Sequence, residues 1–454
     1  MQDNIQDNLD NQENQEVEAT YRRALAFLSS RTKFGINLGL GRIEALLALL
    51  GNPQKTEVSG VRFIHIGGTN GKGSTGAMLA AMLTAAGYKT GFFSSPHLHS
   101  YCERLRIDGR PAPKAAVTRL LTGMAEPLAE MERRGLEQPT EFEVSTAAAF
   151  RYFAEERVDY AVIEVGLGGE IDSTNVIRPD LAVITNVAMD HMAYLGESEA
   201  AIARVKAGII KPGVPVFTAA AGPALAVIEE RAAALASPLY KLGEDFAYIP
   251  RESDRAGQSF DWSSAAFGSL GGLRIKLLGE HQLANASLAV AAALKLGLSE
   301  EAVRRGLAAA RWPGRLELII RENKPETLLD GAHNVAGMQA LSRALRQYWP
   351  GRRIVAVLGM LADKERARAL GELLPLVERA VICRVPSYRA GDWQSLAGIC
   401  REAGVAVDCI EDVAAAVAAG EKLAGEGQLL LITGSLYMLA EARAYLLGIP
   451  QENY

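Results

Sequence analysis

The sequence predicts an α/β protein of two domains, and three observations lead to that expectation. Continuous apolar runs alternate with segments of helical periodicity, which is typical of a mostly parallel sheet with helices on both faces. Between residues 239 and 278 the pattern changes to short alternating pieces, which indicates a small antiparallel subsheet. The chain has 454 residues, and this length favours more than one domain.

The first alternating series, between residues 61 and 297, predicts the larger domain. Its strands are expected at 62–66, 90–93, 160–165, 181–186 and 214–218, and those of the subsheet at 246–249, 260–262 and 273–277. Its helices are expected at 114–134, 143–156, 199–210, 225–235, 281–296 and 299–310.

A second, shorter series follows the turn Trp312-Pro313-Gly314, which we interpret as the domain boundary. Residues 1–18 are rich in Asn, Gln, Asp and Glu and predict a disordered or loosely ordered tail. The two domains are therefore predicted at 19–311 and 312–454. The strands of the second domain are expected at 327–329, 354–358, 380–385, 405–410 and 429–433, with helices that include 335–348 and 413–423.

The composition excludes several classes of protein. A net charge of −5 without a basic stripe argues against a nucleic-acid partner. No apolar run approaches the ~20 residues of a membrane helix, and the first residues lack the apolar segment of a secretion signal. The 4 cysteines are scattered without a C-x-x-C pair, which predicts a reduced, cytoplasmic protein without a structural zinc site.

A glycine-rich turn connects the first predicted strand to a helical segment, and residues 67–74 read GGTNGKGS. Glycines let backbone N–H groups approach phosphates, a helix start supplies free donors and a positive dipole, and Lys72 adds a charge. The run departs from the pattern G-x-x-x-x-G-K-[ST], because Gly73 stands between the lysine and Ser74. It predicts a polyphosphate site unlike that of ordinary motors and GTPases, with a ligand-free glycine turn as the alternative.

Polar residues follow two further predicted strands. Glu164 ends the strand at 160–165, and His191 follows the strand at 181–186. Ligands of parallel sheets bind beyond the carboxyl ends of strands, so Glu164 is expected near the phosphates, where a carboxylate can hold Mg²⁺. The alternative is a glutamate at the edge of the core, paired with an arginine. Chemistry alone favours His191 only weakly as a ligand, because Mg²⁺ prefers oxygen.

A set of short motifs, taken together, resembles one enzyme family. The chain is similar to the folylpolyglutamate synthase/dihydrofolate synthase family, the folate branch of the Mur-type ATP-dependent amide ligases. The resemblance extends from about Tyr21 to the C-terminus. The motifs that carry it are, in order, GTNGKGS at 68–74, SSPHL at 94–98, Glu103-Arg104, EVG at 164–166, Asp190-His191, KAG at 206–208 and DGAHN at 330–334.

The resemblance implies a fold and a reaction. The fold is a large P-loop NTPase-like domain, mostly parallel with the small antiparallel subsheet, followed by a smaller Rossmann-like α/β domain. The reaction joins the amine of L-glutamate to a pterin or folate carboxylate through an acyl phosphate made from ATP. The implied cofactors are ATP, Mg²⁺, a CO₂-derived carbamate on Lys206 and a monovalent cation. The implied partners are small-molecule substrates, and the protein is expected to be a monomer.

Site residues also follow from the resemblance. The catalytic residues are Lys72, Glu164, His191 and Lys206. ATP is expected to contact Asn70, Gly71, Lys72, Gly73, Ser74, Asn285, Arg315, Asp330 and His333. The metal ligands are expected to be Ser95, Glu164, His191 and carbamylated Lys206. Folate is assigned to Pro96, His97, Arg104, Phe142 and Glu143, and glutamate to His333 and Ser435.

Several alternatives stay open or are disfavoured. The acceptor could be dihydropteroate, folate or both, and we favour the bifunctional enzyme over a monofunctional folylpolyglutamate synthase. Another Mur-type ligase is disfavoured, because relatives that act on UDP-linked precursors carry a whole domain before the glycine turn. A GTP-binding switch would need N-K-x-D, and the closest string is Asn323-Lys324-Pro325-Glu326. Lys72, Glu164 and His191 argue against an inactive binding protein.

Overall fold

The larger domain is built on an eight-stranded sheet in this computed structural model, which describes the backbone of residues 2–35, 39–450 and 452. Side chains are described from residue 15 onward, apart from residue 34 and the gaps in the backbone. The strands are β1 (Arg62–Gly67), β2 (Thr90–Phe93), β3 (Leu105–Ile107), β4 (Arg110–Pro111), β5 (Tyr160–Glu164), β6 (Leu181–Ile184), β7 (Val216–Thr218) and β8 (Leu239–Lys241).

The strand order is β4-β3-β2-β5-β1-β6-β7-β8, and all neighbours from β2 to β8 are parallel. β3 and β4 continue the sheet in antiparallel pairing. The predicted subsheet is a separate antiparallel sheet in the order β11-β10-β9. Its strands are β9 (Phe246–Asp254), β10 (Gly257–Ser264) and β11 (Gly268–Ile275).

Helices cover both faces of the large sheet. Alternate residues of β1 face opposite layers: Ile64 and Ile66 pack with α4, and Phe63 packs edge-on against Phe150 of α7. The helices are α1 (Gln2–Ser29), α2 (Gly41–Leu49), α3 (Thr56–Ser59), α4 (Lys72–Ala85), α5 (Lys114–Thr122), α6 (Ala125–Arg133), α7 (Glu141–Glu155), α8 (Met192–Leu195), α9 (Glu199–Ala207), α10 (Gly222–Ala234), α11 (Glu280–Lys295) and α12 (Glu300–Ala309).

The smaller domain has a six-stranded sheet in the order β12-β13-β17-β14-β15-β16, parallel except for β12. Its strands are β12 (Glu317–Ile319), β13 (Glu326–Asp330), β14 (Ile354–Leu358), β15 (Val377–Ile382), β16 (Ala406–Cys409) and β17 (Leu429–Thr433). Its helices are α13 (Val335–Tyr348), α14 (Arg366–Leu373), α15 (Ser395–Glu402), α16 (Val413–Leu423) and α17 (Leu436–Leu447).

The predicted fold class is confirmed, and the differences are local. The helix expected at 114–134 is two helices, α5 and α6, which are separated at Gly123 and Met124. The short strands β3, β4, β8 and β12 were not predicted, because such brief segments carry little periodicity. The backbone of residues 2–18, part of the predicted tail, belongs to α1, and Glu18 forms ion pairs with Arg22 and Lys114.

Two observations bear on the expected surroundings of the protein. No helix in the described part of the chain is long and apolar enough to cross a membrane. The cysteines are free thiols: Cys102, Cys383 and Cys400 are buried, and Cys409 is exposed at the end of β16.

Candidate active site

The carboxyl ends of β1, β5 and β6 meet the second domain at a cavity of about 450 Å³. All of the residues predicted for ATP, metal and catalysis line this cavity, so the fold brings them together. They are Asn70, Gly71, Lys72, Gly73, Ser74, Ser95, Glu164, His191, Lys206, Asn285, Arg315, Asp330 and His333.

The glycines of the phosphate loop, which we define as residues 67–73, have no room for side chains. Gly68 and Gly71 have φ angles of +133° and +87°. A Cβ at Gly68 would lie 2.0 Å from Thr185 Oγ1, and one at Gly71 would lie 2.3 Å from Asn285 Oδ1. Helix α4 begins at Lys72, whose Nζ donates to the carbonyls of Gly68 (3.2 Å) and Thr69 (3.3 Å). The loop therefore exposes its backbone and one cation, as an anion site requires.

The end of β6 holds the phosphate loop in shape. Thr185 Oγ1 donates to the carbonyl of Asn70 at 2.6 Å, and Asn186 Oδ1 accepts from the Asn70 N–H at 3.0 Å. Gln282 of α11 donates to Ser74 Oγ at 3.3 Å and accepts from the Asn285 amide at 3.0 Å. Sequence reasoning missed Thr185, Asn186 and Gln282, although polar residues directly after a buried strand were a usable signal.

Glu164, at the end of β5, is a buried carboxylate. Burial raises its pKa to about 7, against the charges of Lys72 and Arg315 and a backbone N–H of Ser95. Among the described residues, it forms no ion pair within 4 Å, so the alternative of an arginine-paired core glutamate is wrong. A buried carboxyl group that forms no direct ion pair suits a bound cation, which would favour its ionised form.

The protein donors for a cation at this position are few. No group of three His, Cys, Asp or Glu residues in the described part of the chain could hold a metal ion. Ser95 lines the same cavity as Glu164, so a hydroxyl and a carboxyl group border the space in which the phosphates of a nucleotide would add further oxygens. This mixed oxygen set fits Mg²⁺, which commonly binds one or two carboxylates together with substrate phosphates.

Lys206, on α9, is 4% exposed and is therefore a buried lysine. Its Nζ donates to the carbonyl of Gly68 at 2.9 Å, which places it beside the phosphate loop. Burial, with the nearby charge of Lys72, lowers its pKa to about 7. Among the described residues, it has no carboxylate within 4 Å.

Asp190 connects the two domains. Its Oδ1 lies 2.5 Å from Lys364 Nζ, and its Oδ2 accepts from the Asn334 amide at 3.0 Å and lies 3.5 Å from His333 Nε2. Burial opposes ionisation, but the hydrogen bond from His333 and the surrounding positive charges hold the pKa of Asp190 below its usual range. Asn334 also exchanges amide hydrogen bonds with Asn70 of the phosphate loop, at 3.1 and 3.4 Å.

His191 adopts a left-handed backbone with φ of +52° and lies 3.5 Å from Lys364 Nζ. Burial and the charge of Lys364 lower its pKa to about 4, so the imidazole is neutral at pH 7 and has a lone pair to offer. Neither Lys364 nor Asn334 was predicted as a site residue, because their contacts arise only when the two domains meet.

Across the cleft, Asp330 ends β13 and accepts hydrogen bonds from the N–H groups of Leu316 and Ala332, both at 2.9 Å. Burial raises its pKa, against the charge of Arg315. The Arg315 guanidinium donates to the carbonyl of Gly314 at 3.1 Å and lines the cavity. The second domain therefore presents a carboxylate and a cation to the phosphate loop.

A second cavity of about 380 Å³ adjoins the first. The Phe142 ring closes against Gly166, where a Cβ would lie 2.4 Å from the ring. Ser435 caps α17 by accepting a hydrogen bond from the Tyr437 N–H at 3.3 Å. The predicted residues that line this cavity are Ser95, Pro96, Arg104, Phe142, Glu143, His191, His333 and Ser435.

Two predicted folate residues have structural contacts. Glu143 is buried, caps α7 by accepting from the Thr140 N–H at 2.7 Å, and pairs with Arg42 at 3.1 Å. His97 does not line the second cavity, and its Nδ1 accepts from Arg104 Nε at 2.9 Å. Both side chains therefore bind other residues of the protein. The sequence motifs did not predict these contacts, because the motifs carry no information on the partners.

Comparisons with known proteins find family models for both domains and relatives that match most of the chain. The model of the Mur ligase middle domain matches residues 66–293, and that of the Mur ligase glutamate ligase domain matches residues 314–436. The chain is 37% identical over 431 residues to a dihydrofolate synthase/folylpolyglutamate synthase of Bacillus subtilis, covering 93% of this chain and 98% of the relative. It is 36% identical to a folylpolyglutamate synthase of Lacticaseibacillus casei, covering 94% and 99%.

Solved structures show the same likeness. Folylpolyglutamate synthase of Mycobacterium tuberculosis, complexed with ADP and AMPPCP, superimposes with a TM-score of 0.88 at 34% identity, over 96% of this chain and 100% of that one. E. coli FolC in complex with DHPP and ADP has a TM-score of 0.83 at 30% identity, over 92% and 96%. The chain therefore belongs to the Mur ligase family, in the branch of the folylpolyglutamate and dihydrofolate synthases.

Proposed function

We propose that this protein is an ATP-dependent ligase that joins L-glutamate to the carboxylate of dihydropteroate and of reduced folates. One observation carries the proposal: a phosphate site with a buried acid, Glu164, opens into a second cavity with an aromatic wall at Phe142. The relatives support both activities, because the B. subtilis protein is named for both and a solved E. coli relative holds DHPP and ADP.

ATP binding is assigned to both domains. The N–H groups of the phosphate loop and Lys72 hold the triphosphate, and Asn285 borders the loop. Arg315 reaches the phosphates from the second domain, and Asp330 accepts hydrogen bonds from the ribose hydroxyls. Because these groups lie on opposite walls, turnover requires the domains to close, with the turn at Trp312-Pro313-Gly314 as the hinge.

The reaction proceeds in two steps. The acceptor carboxylate attacks the γ-phosphorus of ATP, the bond from this phosphorus to the bridging oxygen breaks, and ADP leaves while an acyl phosphate is formed. The glutamate amine then attacks the acyl carbon, loses a proton, and phosphate leaves as the amide forms. The chain's residues position the reactants and neutralise charge, and a closed cleft keeps water from the acyl phosphate.

Mg²⁺ is assigned to Ser95, Glu164 and His191, with Glu164 the buried anion that a cation would neutralise. When bound, it would offset the charge that develops on the phosphates. We propose that Lys206 is carbamylated, because a buried cation would be replaced by anionic oxygens that suit a second metal. A monovalent cation is supported by the family resemblance alone.

The acceptor is assigned to the second cavity, where the Phe142 face suits a flat heterocycle, flanked by Pro96, Arg104 and Glu143. His97 supports Arg104 through its hydrogen bond. Glutamate is assigned to His333 and Ser435 on the opposite wall.

We also propose a cytoplasmic location, since Cys102, Cys383 and Cys400 are buried as free thiols. The proposed monomeric state is supported by the family resemblance alone.

The test uses the purified protein with ATP, Mg²⁺ and labelled glutamate, and with dihydropteroate or tetrahydrofolate in separate reactions. Product mass should increase by one glutamyl unit with each acceptor. Product formed with tetrahydrofolate but not with dihydropteroate would identify a monofunctional folylpolyglutamate synthase. Absence of product from both acceptors, with ATP unchanged, would refute the proposal. Lys72→Ala serves as the inactive control.

A further inference from the structure

We infer that Trp312 is a positioning residue that couples the acceptor site to the phosphate loop. The inference rests on the proposed function. Trp312 is the first residue of the turn between the domains, and its indole lies where three elements meet. The indole contacts the start of α4, β2 and β3. Arg315 follows Trp312 three residues later in the chain.

The indole packs against the phosphate loop at Gly73. A Cβ at Gly73 would lie 2.8 Å from Trp312 Nε1 and 2.9 Å from its Cε2 and Cζ2 atoms, closer than real side chains approach. Gly73 is one of two departures of this segment from the general phosphate-binding pattern, the other being Ile66 where the pattern begins with glycine. The extra glycine therefore provides the space in which the indole contacts the first turn of α4.

Another part of the indole contacts the support of the acceptor loop, which we define as residues 96–104. The Arg106 guanidinium of β3 lies 5.5 Å from the indole, in cation–π contact, and the Phe92 ring of β2 is also at 5.5 Å. Arg106 is 18% exposed and pairs with Glu103 at 3.5 Å. The Glu103 carboxylate accepts hydrogen bonds from three N–H groups of the acceptor loop, at Leu98, His99 and Ser100.

Arg315 lies three residues after Trp312 in the same connection. Its guanidinium lies close to Gly331, where a Cβ would be 2.3 Å from Nη1. Movement of the acceptor loop would be transmitted through Glu103 and Arg106 to the indole. From the indole it would reach both Gly73 and Arg315, the two sides of the phosphate site. Acceptor binding should therefore change the affinity for ATP.

The experiment measures the Kd of AMPPCP with and without tetrahydrofolate. In the wild type, tetrahydrofolate should lower this Kd about 5-fold or more, the usual range for coupled sites. In Trp312→Ala, the ratio of the Kd without tetrahydrofolate to the Kd with it should fall to between one and about 2. Trp312→Phe keeps an aromatic face and should preserve most of the wild-type ratio. Trp393→Phe is the control and should leave the ratio and turnover unchanged, because Trp393 is partly buried against the core of the second domain and lines neither cavity.

A double-mutant cycle tests the contact itself. Gly73→Ala should weaken AMPPCP binding strongly in the wild type and less in the Trp312→Ala background, where the space is free. If Trp312→Ala does not fold, Arg106→Met provides the second variant and should also reduce the ratio. The inference is overturned if the wild type makes product but its ratio is one. It is also overturned if the wild type makes product and Trp312→Ala and Arg106→Met leave the ratio unchanged. A wild type that makes no product refutes the proposed function instead.

Discussion

Lys364→Met should shift the protein toward an open arrangement of its domains. Lys364 and Asp190 form an ion pair at 2.5 Å, with side chains only 6% and 7% exposed, and one residue belongs to each domain. Without the lysine, the Asp190 carboxylate stays buried in the closed form, where Asn334 (3.0 Å), the His191 N–H (2.8 Å) and His333 (3.5 Å) remain as polar partners but supply no full positive charge in place of the ammonium group. The closed form then contains a poorly compensated charge.

The magnitude follows from the burial of this pair. Removal of one partner from a buried ion pair costs about 3–5 kcal/mol, and the remaining contacts of Asp190 favour the lower value. A cost of about 3 kcal/mol corresponds to roughly a 100-fold change in the ratio of closed to open molecules. Because the pair joins the domains, this cost is expected to separate them without unfolding either one.

Small-angle scattering of the ligand-free protein measures the radius of gyration, which should increase in Lys364→Met while the circular dichroism stays the same. Asp190→Asn combined with Lys364→Met should recover part of the compact form, because no unpaired charge remains. Lys89→Met is the control: its pair with Glu156 (3.0 Å) is 41% and 40% exposed, so the radius should not change. An unchanged radius and full turnover in Lys364→Met would refute the reasoning.

Further predictions concern the cleft and the core. Lys72→Ala and Glu164→Ala should each abolish glutamate ligation with an unchanged melting curve, and near-normal turnover in either would contradict the assignment. Lys206→Ala should be nearly inactive, and short carboxylic acids such as acetate should partly restore its turnover; no restoration at any concentration counts against the carbamate. Burial lowers the pKa of His65 to about 3, so the unfolded chain binds more protons between that value and about 6.5, and stability falls as the pH falls through this window. His65→Gln should flatten that decline by up to about 1.4 kcal/mol per pH unit, which urea denaturation at pH 7 and pH 5 would show; an unchanged slope would exclude His65 as its source.

The sequence predicted those parts of the fold that depend on local pattern. The continuous apolar run at β5 and its terminal Glu164 indicated a buried strand that carries an acid to the sheet edge, and both are confirmed. The glycine turn between β1 and α4 is confirmed, and Gly68 and Gly71 have the positive φ angles that glycines in such a turn can signal.

Other parts depend on contacts between residues far apart in the chain. Lys364 lies far from any motif, and its role appears only when it meets Asp190 across the cleft. Gln282 looked like an ordinary helical residue, but its amide bridges Ser74 and Asn285. The break between α5 and α6 was also missed, since apolar periodicity continues through Gly123.

The distribution of the thiols has a practical consequence for measuring motion. Burial raises the pKa of Cys383 to about 12 and that of Cys400 to about 11, and it also raises that of Cys102. A maleimide dye reacts with exposed thiolates, so at neutral pH it should attach at Cys409. The native chain thus offers a single labelling position on the second domain. A second dye on the first domain would form a fluorescence energy-transfer pair with the dye at Cys409. The efficiency of transfer would then report the opening and closing of the cleft during turnover.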